Sequence, residues 1–191
     1  MQGNLDYQNS HFVSSTGGYN LTSGPPSSEA GLLSNDLEEE QAVPLMNLKP
    51  GSDNALPSPN GIAASNLLLL SSYLQEASYR KLAKGVIDAF AIEIVQHPFL
   101  FVSILSANVL ETVGVKSVVA VGDAVEHQLC GFGRTVTKLQ DSQGREWLVG
   151  RNPLLKNFKL KDGEGGRVMI CAAGTCREPK DGELDAQGEG G

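Results

Sequence analysis

Residues 53 to 70 read DNALPSPNGIAASNLLLL, a polar turn that runs directly into small residues and leucines. Its two prolines, Pro57 and Pro59, hold the chain extended. Ser58 or Asn60 can accept a hydrogen bond from the free backbone N–H groups of that turn. The stretch therefore predicts an ordered loop over 53–60 that caps a helix running from Asn60 to about Gln75.

The polar residues of this loop allow two interpretations. In the first, they only satisfy the N-terminus of the helix. In the second, they line a ligand site, because a helix N-terminus gathers N–H groups and partial positive charge. Both interpretations stay open, and the candidate site residues are Asp53, Asn54, Ser58 and Asn60.

Two further helices are predicted downstream. Between residues 78 and 96, apolar residues recur at helical spacing with charged residues on the opposite side. The pair His97-Pro98 ends this helix, so His97 is interpreted as a helix-end residue rather than a catalyst. The segment FLFVSILSANVLE at 99–111 is apolar on nearly all sides, which predicts a helix placed between layers.

After Gly114 the pattern changes to short runs that are rich in β-branched residues. Such runs, bounded by turn residues, are typical of strands, and they predict a small α/β annex after the helices. The four candidate strands are VKSVVAVGD from Val115, RTVTKLQD from Arg134, REWLVG from Arg145 and GRVMICAAGT from Gly166.

The N-terminal segment, residues 1–52, is rich in Gly, Ser, Asn and Pro, and it is predicted to be loop-rich or poorly ordered. Within it, FVSSTGGYNLT predicts a hairpin around Gly17 and Gly18. The net charge of −7 comes from the two ends of the chain, because the part between residues 52 and 177 carries 11 acidic and 12 basic residues. This balance does not indicate nucleic-acid binding.

The sequence shows no pattern typical of a secretory signal or a membrane span. The first residues, MQGNLDYQNSHFVSS, lack the basic start and apolar core of a secretory signal. The longest apolar stretch, around 98–110, is too short and too interrupted by polar residues to span a bilayer. We therefore expect no membrane partner and a cytoplasmic location.

Three cysteines are too few for a secreted disulfide framework. Cys171 and Cys176 in CAAGTC are separated by four residues, which differs from the two-residue spacing of thioredoxin-like motifs, and no nearby Cys or His pair completes a zinc site. We expect a structural role for these thiols, with redox or metal binding as the alternative. No metal or other cofactor is predicted.

Several of these pieces, in this order along the chain, resemble one known family. DNALPSPNGIAASNLLLLSSYL, YRKLAKGVIDAFAIEIVQHP, VVAVGD and CAAGTC are similar to the C-terminal part of the thioredoxin-domain-containing DUF255 proteins, also called the spermatogenesis-associated protein 20 or YyaL family. The resemblance covers roughly residues 45–178. Family members resemble a thioredoxin-like domain followed by an (α/α)6 toroid of the six-hairpin glycosidase class.

The resemblance implies a mainly α fold: the last hairpins of an (α/α)6 toroid, followed by three or four short strands. Together with the composition of the chain, it predicts four segments, namely a loop-rich or disordered 1–52, helical hairpins of the partial toroid at 53–113, a small α/β annex at 114–178 and a disordered tail at 179–191. The thioredoxin-like domain with its cysteine motif and most of the toroid are not in this chain.

Two functions follow from the resemblance. In one, the chain is a fragment of a sugar-active protein whose loop at Asp53 faces a funnel for a carbohydrate-like small molecule, and the fragment alone is not catalytic. In the other, it is a structural or redox-linked interaction module that supports a thioredoxin-like domain. In either case the shortened helical region is expected to expose apolar helix faces, through which the chain self-associates.

Overall fold

A computed structural model of the protein describes residues 2–21, 48–122, 134–139, 143–158, 166–172 and 174–180. In chain order, the elements are α1 Gln2–His11, α2 Pro59–Leu74, α3 Ala77–Ala89, α4 Ala91–Gln96, a 3-10 turn Pro98–Leu100, α5 Val102–Val113, β1 Lys116–Gly122, β2 Arg134–Leu139, α6 Gln143–Arg151, a 3-10 turn Pro153–Asn157, β3 Gly166–Ala172 and β4 Thr175–Arg177.

The four strands form one mixed sheet in the order β2-β1-β3-β4. β1 pairs with β2 in parallel and with β3 in antiparallel fashion. β3 and β4 form a hairpin in which Ala172 pairs with Thr175, so the turn between the two strands has two residues. One face of the sheet buries Val118, Ala120 and Ile170 against one another.

The chain divides into two compact units. The first contains residues Met1–Ala64 and Leu82–Ala107, and the second contains Ser65–Lys81 and Asn108–Gly191. Each unit has its own buried apolar residues. They are Tyr19, Ala64, Ala83, Val86, Ile87, Phe90, Phe101, Ile104 and Ala107 in the first unit, and Leu67, Leu68, Leu74, Tyr79, Leu110, Val118, Val119, Ala120, Leu148, Leu155, Ile170 and Cys171 in the second.

The predicted helix after the opening loop is confirmed at Pro59–Leu74. The predicted strands beginning at Val115, Arg134 and Gly166 are observed as β1, β2 and β3. His97 lies at the end of α4, where its backbone N–H donates to the carbonyl of Glu93, so its interpretation as a helix-end residue is confirmed.

The prediction of the last hairpins of an (α/α)6 toroid is wrong. The described residues form six α-helices and a four-stranded mixed sheet, which is a small α/β fold. The apolar helix at 99–111 suggested helical layers on both of its sides. In the structure, α5 buries only one stripe, which contains Ile104, Ala107 and Leu110, whereas Val102 and Val109 are 53% and 48% exposed.

Two local predictions are also wrong. REWLVG, expected to be a strand, lies in α6. A short apolar run fits either element by periodicity, and here the helix places the guanidinium of Arg151 4.7 Å from the ring centre of Trp147, one turn away. The helix expected over 78–96 is interrupted at Phe90. The backbone of this residue is not helical, and its side chain is buried just before α4 begins.

The N-terminal segment contains more regular structure than its composition indicates, because α1 spans Gln2–His11. The hairpin predicted around Gly17 and Gly18 is present: Val13 and Tyr19 form an antiparallel bridge, and both glycines have positive φ. The division into 1–52, 53–113, 114–178 and 179–191 stays a prediction, and most of its last segment lies outside the described residues. In the described part of the chain, no helix has the length and apolarity needed to cross a membrane.

Candidate functional site

The loop over 53–60 is ordered, as the sequence predicts, and Ser58 is the residue that caps α2. Its hydroxyl accepts a hydrogen bond from the N–H of Gly61 at 3.0 Å, and its carbonyl accepts the first helical bond from Ile62. Pro59 occupies the first helical position, where a missing N–H has no cost. The local interpretation of this stretch as a capped helix start is confirmed.

Asp53 joins the beginnings of two helices of the first unit. One carboxylate oxygen accepts from the backbone N–H of Ser58 at 2.7 Å, and the other accepts from the N–H of Ser103, near the start of α5, at 2.7 Å. The hydroxyl of Ser103 also donates to this carboxylate. The backbone N–H of Asp53 donates to the carbonyl of Leu100 at 2.6 Å.

The pKa of Asp53 reflects these contacts. Desolvation acts to raise the pKa, but the hydrogen bonds from Ser103 and Ser58 outweigh it, so the pKa of Asp53 lies below its ordinary value. A carboxylate next to helix N-termini is further favoured by their partial positive charge. The position that an external anion would take at these helix ends is therefore occupied by the chain's own aspartate.

Asn60 is fully buried and does not cap the helix. Its amide oxygen accepts from the N–H of Tyr19 at 2.7 Å, and its amide nitrogen donates to the carbonyls of Tyr19 and Pro50 at 3.0 and 2.9 Å. One side chain thus pairs with both backbone groups of a hairpin residue, as a neighbouring strand would. Asn60 fixes the N-terminal hairpin and residue 50 to the start of α2.

Glycines allow this close packing. A Cβ on Gly61 would lie 2.0 Å from the hydroxyl oxygen of Ser103, and a Cβ on Gly51 would lie 2.3 Å from the ring of Phe90. The start of α2 therefore touches α5 at a distance that only glycine permits.

Asn54 is the candidate site residue that points outward. It is exposed, and its N–H donates to the carbonyl of Leu56 at 3.1 Å. Among the described residues, no buried side-chain nitrogen or oxygen lacks a hydrogen-bond partner. The structure brings Asp53, Ser58 and Asn60 together as a set of internal contacts, which we call the cap cluster, and Ser103 and Gly61 complete it.

The two cysteines of CAAGTC form a disulfide across the β3–β4 hairpin. Cys171 and Cys176 are directly opposite in the strand register, and their Cα atoms are 4.0 Å apart. Cys171 is 3% exposed, whereas Cys176 is partly accessible. The sequence prediction of simple structural thiols missed this pairing. The sequence signal that could have revealed it is the spacing of the cysteines: each is separated by one residue from a two-residue turn, which places them opposite each other in a hairpin.

A pocket of about 280 Å³ lies in the second unit. Two of its three charged residues pair with each other: Arg80 and Glu111 form an ion pair at 3.0 Å, and Arg80 also donates to the carbonyl of Glu111 in the last turn of α5. The lining residues are Leu68, Ser71, Ser72, Gln75, Arg80, Leu110, Glu111, Val113, Gly114, Val115, Lys116 and Ala172.

Neither metal-ligand geometry nor similarity to known proteins assigns a function to this chain. Within the described ranges, no three His, Cys, Asp or Glu side chains come together as metal ligands. No protein-family profile, curated protein or solved structure matches this chain.

Proposed function

We propose that this chain is a non-catalytic interaction module whose state follows the redox state of Cys171 and Cys176. The observation that carries the proposal is the disulfide that joins these residues across the β3–β4 hairpin. Disulfides of proteins in reducing compartments are usually transient, and they serve catalysis or redox sensing. We place the module in the cytoplasm, where such a disulfide responds to thiol–disulfide exchange.

The position of the disulfide supports reversible exchange. Cys176 is partly accessible on β4, while Cys171 is buried in β3. The thiolate of a dithiol partner attacks the Sγ of Cys176, the bond between Cys176 and Cys171 breaks, and Cys171 leaves as a thiolate that takes up a proton. The second thiol of the partner then attacks the mixed disulfide and releases Cys176. Two electrons and two protons pass from the partner to the hairpin.

We also propose that the module is the C-terminal part of a longer protein of the thioredoxin-domain-containing DUF255 family. The ordered series of quoted motifs, from DNALPSPNG to CAAGTC, supports this assignment. A thioredoxin-like domain of the same protein would be the natural dithiol partner. A sugar-binding role receives less support, because the polar groups of Asp53, Ser58 and Asn60 are engaged with one another and with the neighbouring backbone.

The test is reduction of the purified full chain by thioredoxin, thioredoxin reductase and NADPH. We expect one equivalent of NADPH to be consumed per chain, followed by re-formation of the disulfide in oxidised glutathione, as measured by maleimide mass tagging. The double variant Cys171→Ser/Cys176→Ser is the control, and it should consume no NADPH above background. A native chain that behaves like this control, or whose two thiols stay free in oxidised glutathione, would refute the proposal.

A further inference from the structure

The hairpin disulfide holds a very short edge strand. β4 consists of three residues, Thr175–Arg177, and it pairs with the last three residues of the seven-residue β3. Thr175 and Arg177 are exposed, so β4 buries little surface. Short strands with few buried contacts contribute little stability by themselves. The covalent bond is therefore the main restraint that keeps β4 on the sheet edge.

The end of β4 has a specific cause. In a hairpin with a two-residue turn, Ala172–Thr175 and Ile170–Arg177 are the pairs that exchange backbone hydrogen bonds, and Cys171–Cys176 lies between them. The next pair of this kind would match Val168 with Pro179. Proline has no N–H to give to the carbonyl of Val168, so the ladder stops. In the described part of the chain, no strand pairs with Gly166–Met169 along the edge of β3 that faces β4.

One ion pair lies just beyond the end of β4. The guanidinium of Arg167 on β3 forms an ion pair with Glu178 at 2.6 Å. Glu178 directly follows β4, so it leaves together with β4 whenever that strand detaches. Arg167 then presents a cation beside the open edge.

From these observations we infer that the outer edge of β3 is a strand-addition site for an extended peptide with an acidic residue that meets Arg167. In the disulfide form β4 covers the last three residues of this edge, Ile170–Ala172, and the dithiol form uncovers them so that the whole edge is open. A partner strand without proline opposite Val168 makes the hydrogen-bonded pair that β4 cannot make, and it can pair along all seven residues of β3. This inference rests on the proposed redox function, because thiol exchange is what opens the hairpin.

The probe is a labelled peptide with the sequence of residues 174–180, carrying Cys176→Ser to prevent disulfide exchange and Pro179→Val to restore the missing N–H. Fluorescence anisotropy measures its binding to the full chain in the oxidised state, in the reduced state, and as the Cys176→Ser variant. We expect the peptide to bind the reduced chain and the variant about tenfold or more tightly than the oxidised chain. Equal binding in the oxidised and reduced states would overturn the inference.

Two matched peptides test the chemistry of the edge. A peptide that retains Pro179 should bind more weakly, because it cannot donate to Val168. A peptide with Glu178→Lys should also bind more weakly, because it places a second cation at Arg167. Unchanged affinity for both peptides would exclude strand addition along β3.

Hydrogen exchange gives a readout that does not depend on the peptides. Reduction should speed exchange at the amides of Ile170 and Ala172, and the bound peptide should protect them again. Circular dichroism establishes that the Cys176→Ser variant is folded, and if it is not, the reduced wild-type chain supplies the same measurement. Failure of peptide binding to the folded variant counts against strand addition alone, since that variant needs no redox step. A disulfide that resists thioredoxin counts against the proposed function alone.

Discussion

The cap cluster at the start of α2 and the β3–β4 hairpin stabilise their chain segments in opposite ways. In the cap cluster, Asp53, Ser58 and Asn60 each have internal hydrogen-bond partners, and Asn60 is fully buried. In the hairpin, three residue pairs at an exposed edge are reinforced by one covalent bond. A network of many buried polar contacts is costly to break at any single point. A covalent bond at an edge can be opened by one reaction, so the hairpin is the region suited to switching.

The largest expected effect tests the cap cluster. Replacement Asn60→Ala removes the hydrogen-bond partner of two buried backbone groups, the N–H and carbonyl of Tyr19, and of the partly buried carbonyl of Pro50. We expect a loss of about 3–5 kcal/mol in the free energy of unfolding, measured by urea denaturation. Asn54→Ala, an exposed neighbour, is the control and should change stability by about 0.5 kcal/mol or less. Equal effects of the two variants would show that the cap cluster is not a stabilising centre.

A second prediction concerns the charge of Asp53. Because hydrogen bonds hold its pKa below the ordinary value of 3.8, the carboxylate stabilises the fold above that pH, and this contribution disappears as the pH falls through the pKa of the folded state. Asp53→Asn should cost about 1.5–3 kcal/mol at neutral pH, since it replaces charged hydrogen bonds with neutral ones.

The pH profile distinguishes this effect from a general loss of packing. The stability difference between the wild type and Asp53→Asn should shrink between neutral pH and pH values below 3.8, measured by thermal unfolding at each pH. Asp88→Asn is the matched control, because in the described part of the chain Asp88 forms an exposed ion pair with Lys84 at 3.3 Å. It should change stability by about 0.5 kcal/mol or less. If the stability difference between the wild type and Asp53→Asn stays constant with pH, the ionised carboxylate of Asp53 is not what stabilises the fold.

Loss of the disulfide in the hairpin should lower the free energy of unfolding less than Asn60→Ala does. For a loop as short as the one closed by Cys171 and Cys176, the chain-entropy estimate gives about 2 kcal/mol. Cys171→Ser/Cys176→Ser should therefore lower the free energy of unfolding by about 2 kcal/mol or less, because β4 can detach before the rest of the sheet unfolds. Chemical reduction of the wild type should give the same change. A loss as large as that of Asn60→Ala would remove the contrast between the two regions.

The smallest effect is expected at the other end of α2. Gln75 has φ of 56°, a left-handed conformation that usually belongs to glycine, and the N–H of Glu76 donates to the carbonyl of Ser71 across the helix end. Gln75→Gly should stabilise the protein by about 0.5–1 kcal/mol, offset in part by loss of the side-chain bond to Ser72. Glu76→Gly should bring no gain. A loss of stability in Gln75→Gly would show that this side-chain bond outweighs the backbone conformation.

Local features were predictable because the interacting groups are close in sequence. The cap of α2 depends on Ser58 and Gly61, which are three residues apart. β1 and β3 follow from runs of β-branched and apolar residues. REWLVG could not be assigned in this way, because a short apolar run suits a strand or a helix, and its periodicity does not distinguish the two.

The sequence by itself determined that a capped helix begins close to residue 60, with Ser58 or Asn60 as its cap, and where three of the strands lie. These features depend on backbone preferences and on hydrogen bonds between near neighbours. Only the tertiary structure decided what Asp53 and Asn60 contact, since their partners Ser103 and Tyr19 are 50 and 41 residues away. It also decided that Cys171 and Cys176 are joined, because strand register determines which side chains lie opposite each other, and a shift of one residue would move them to different faces.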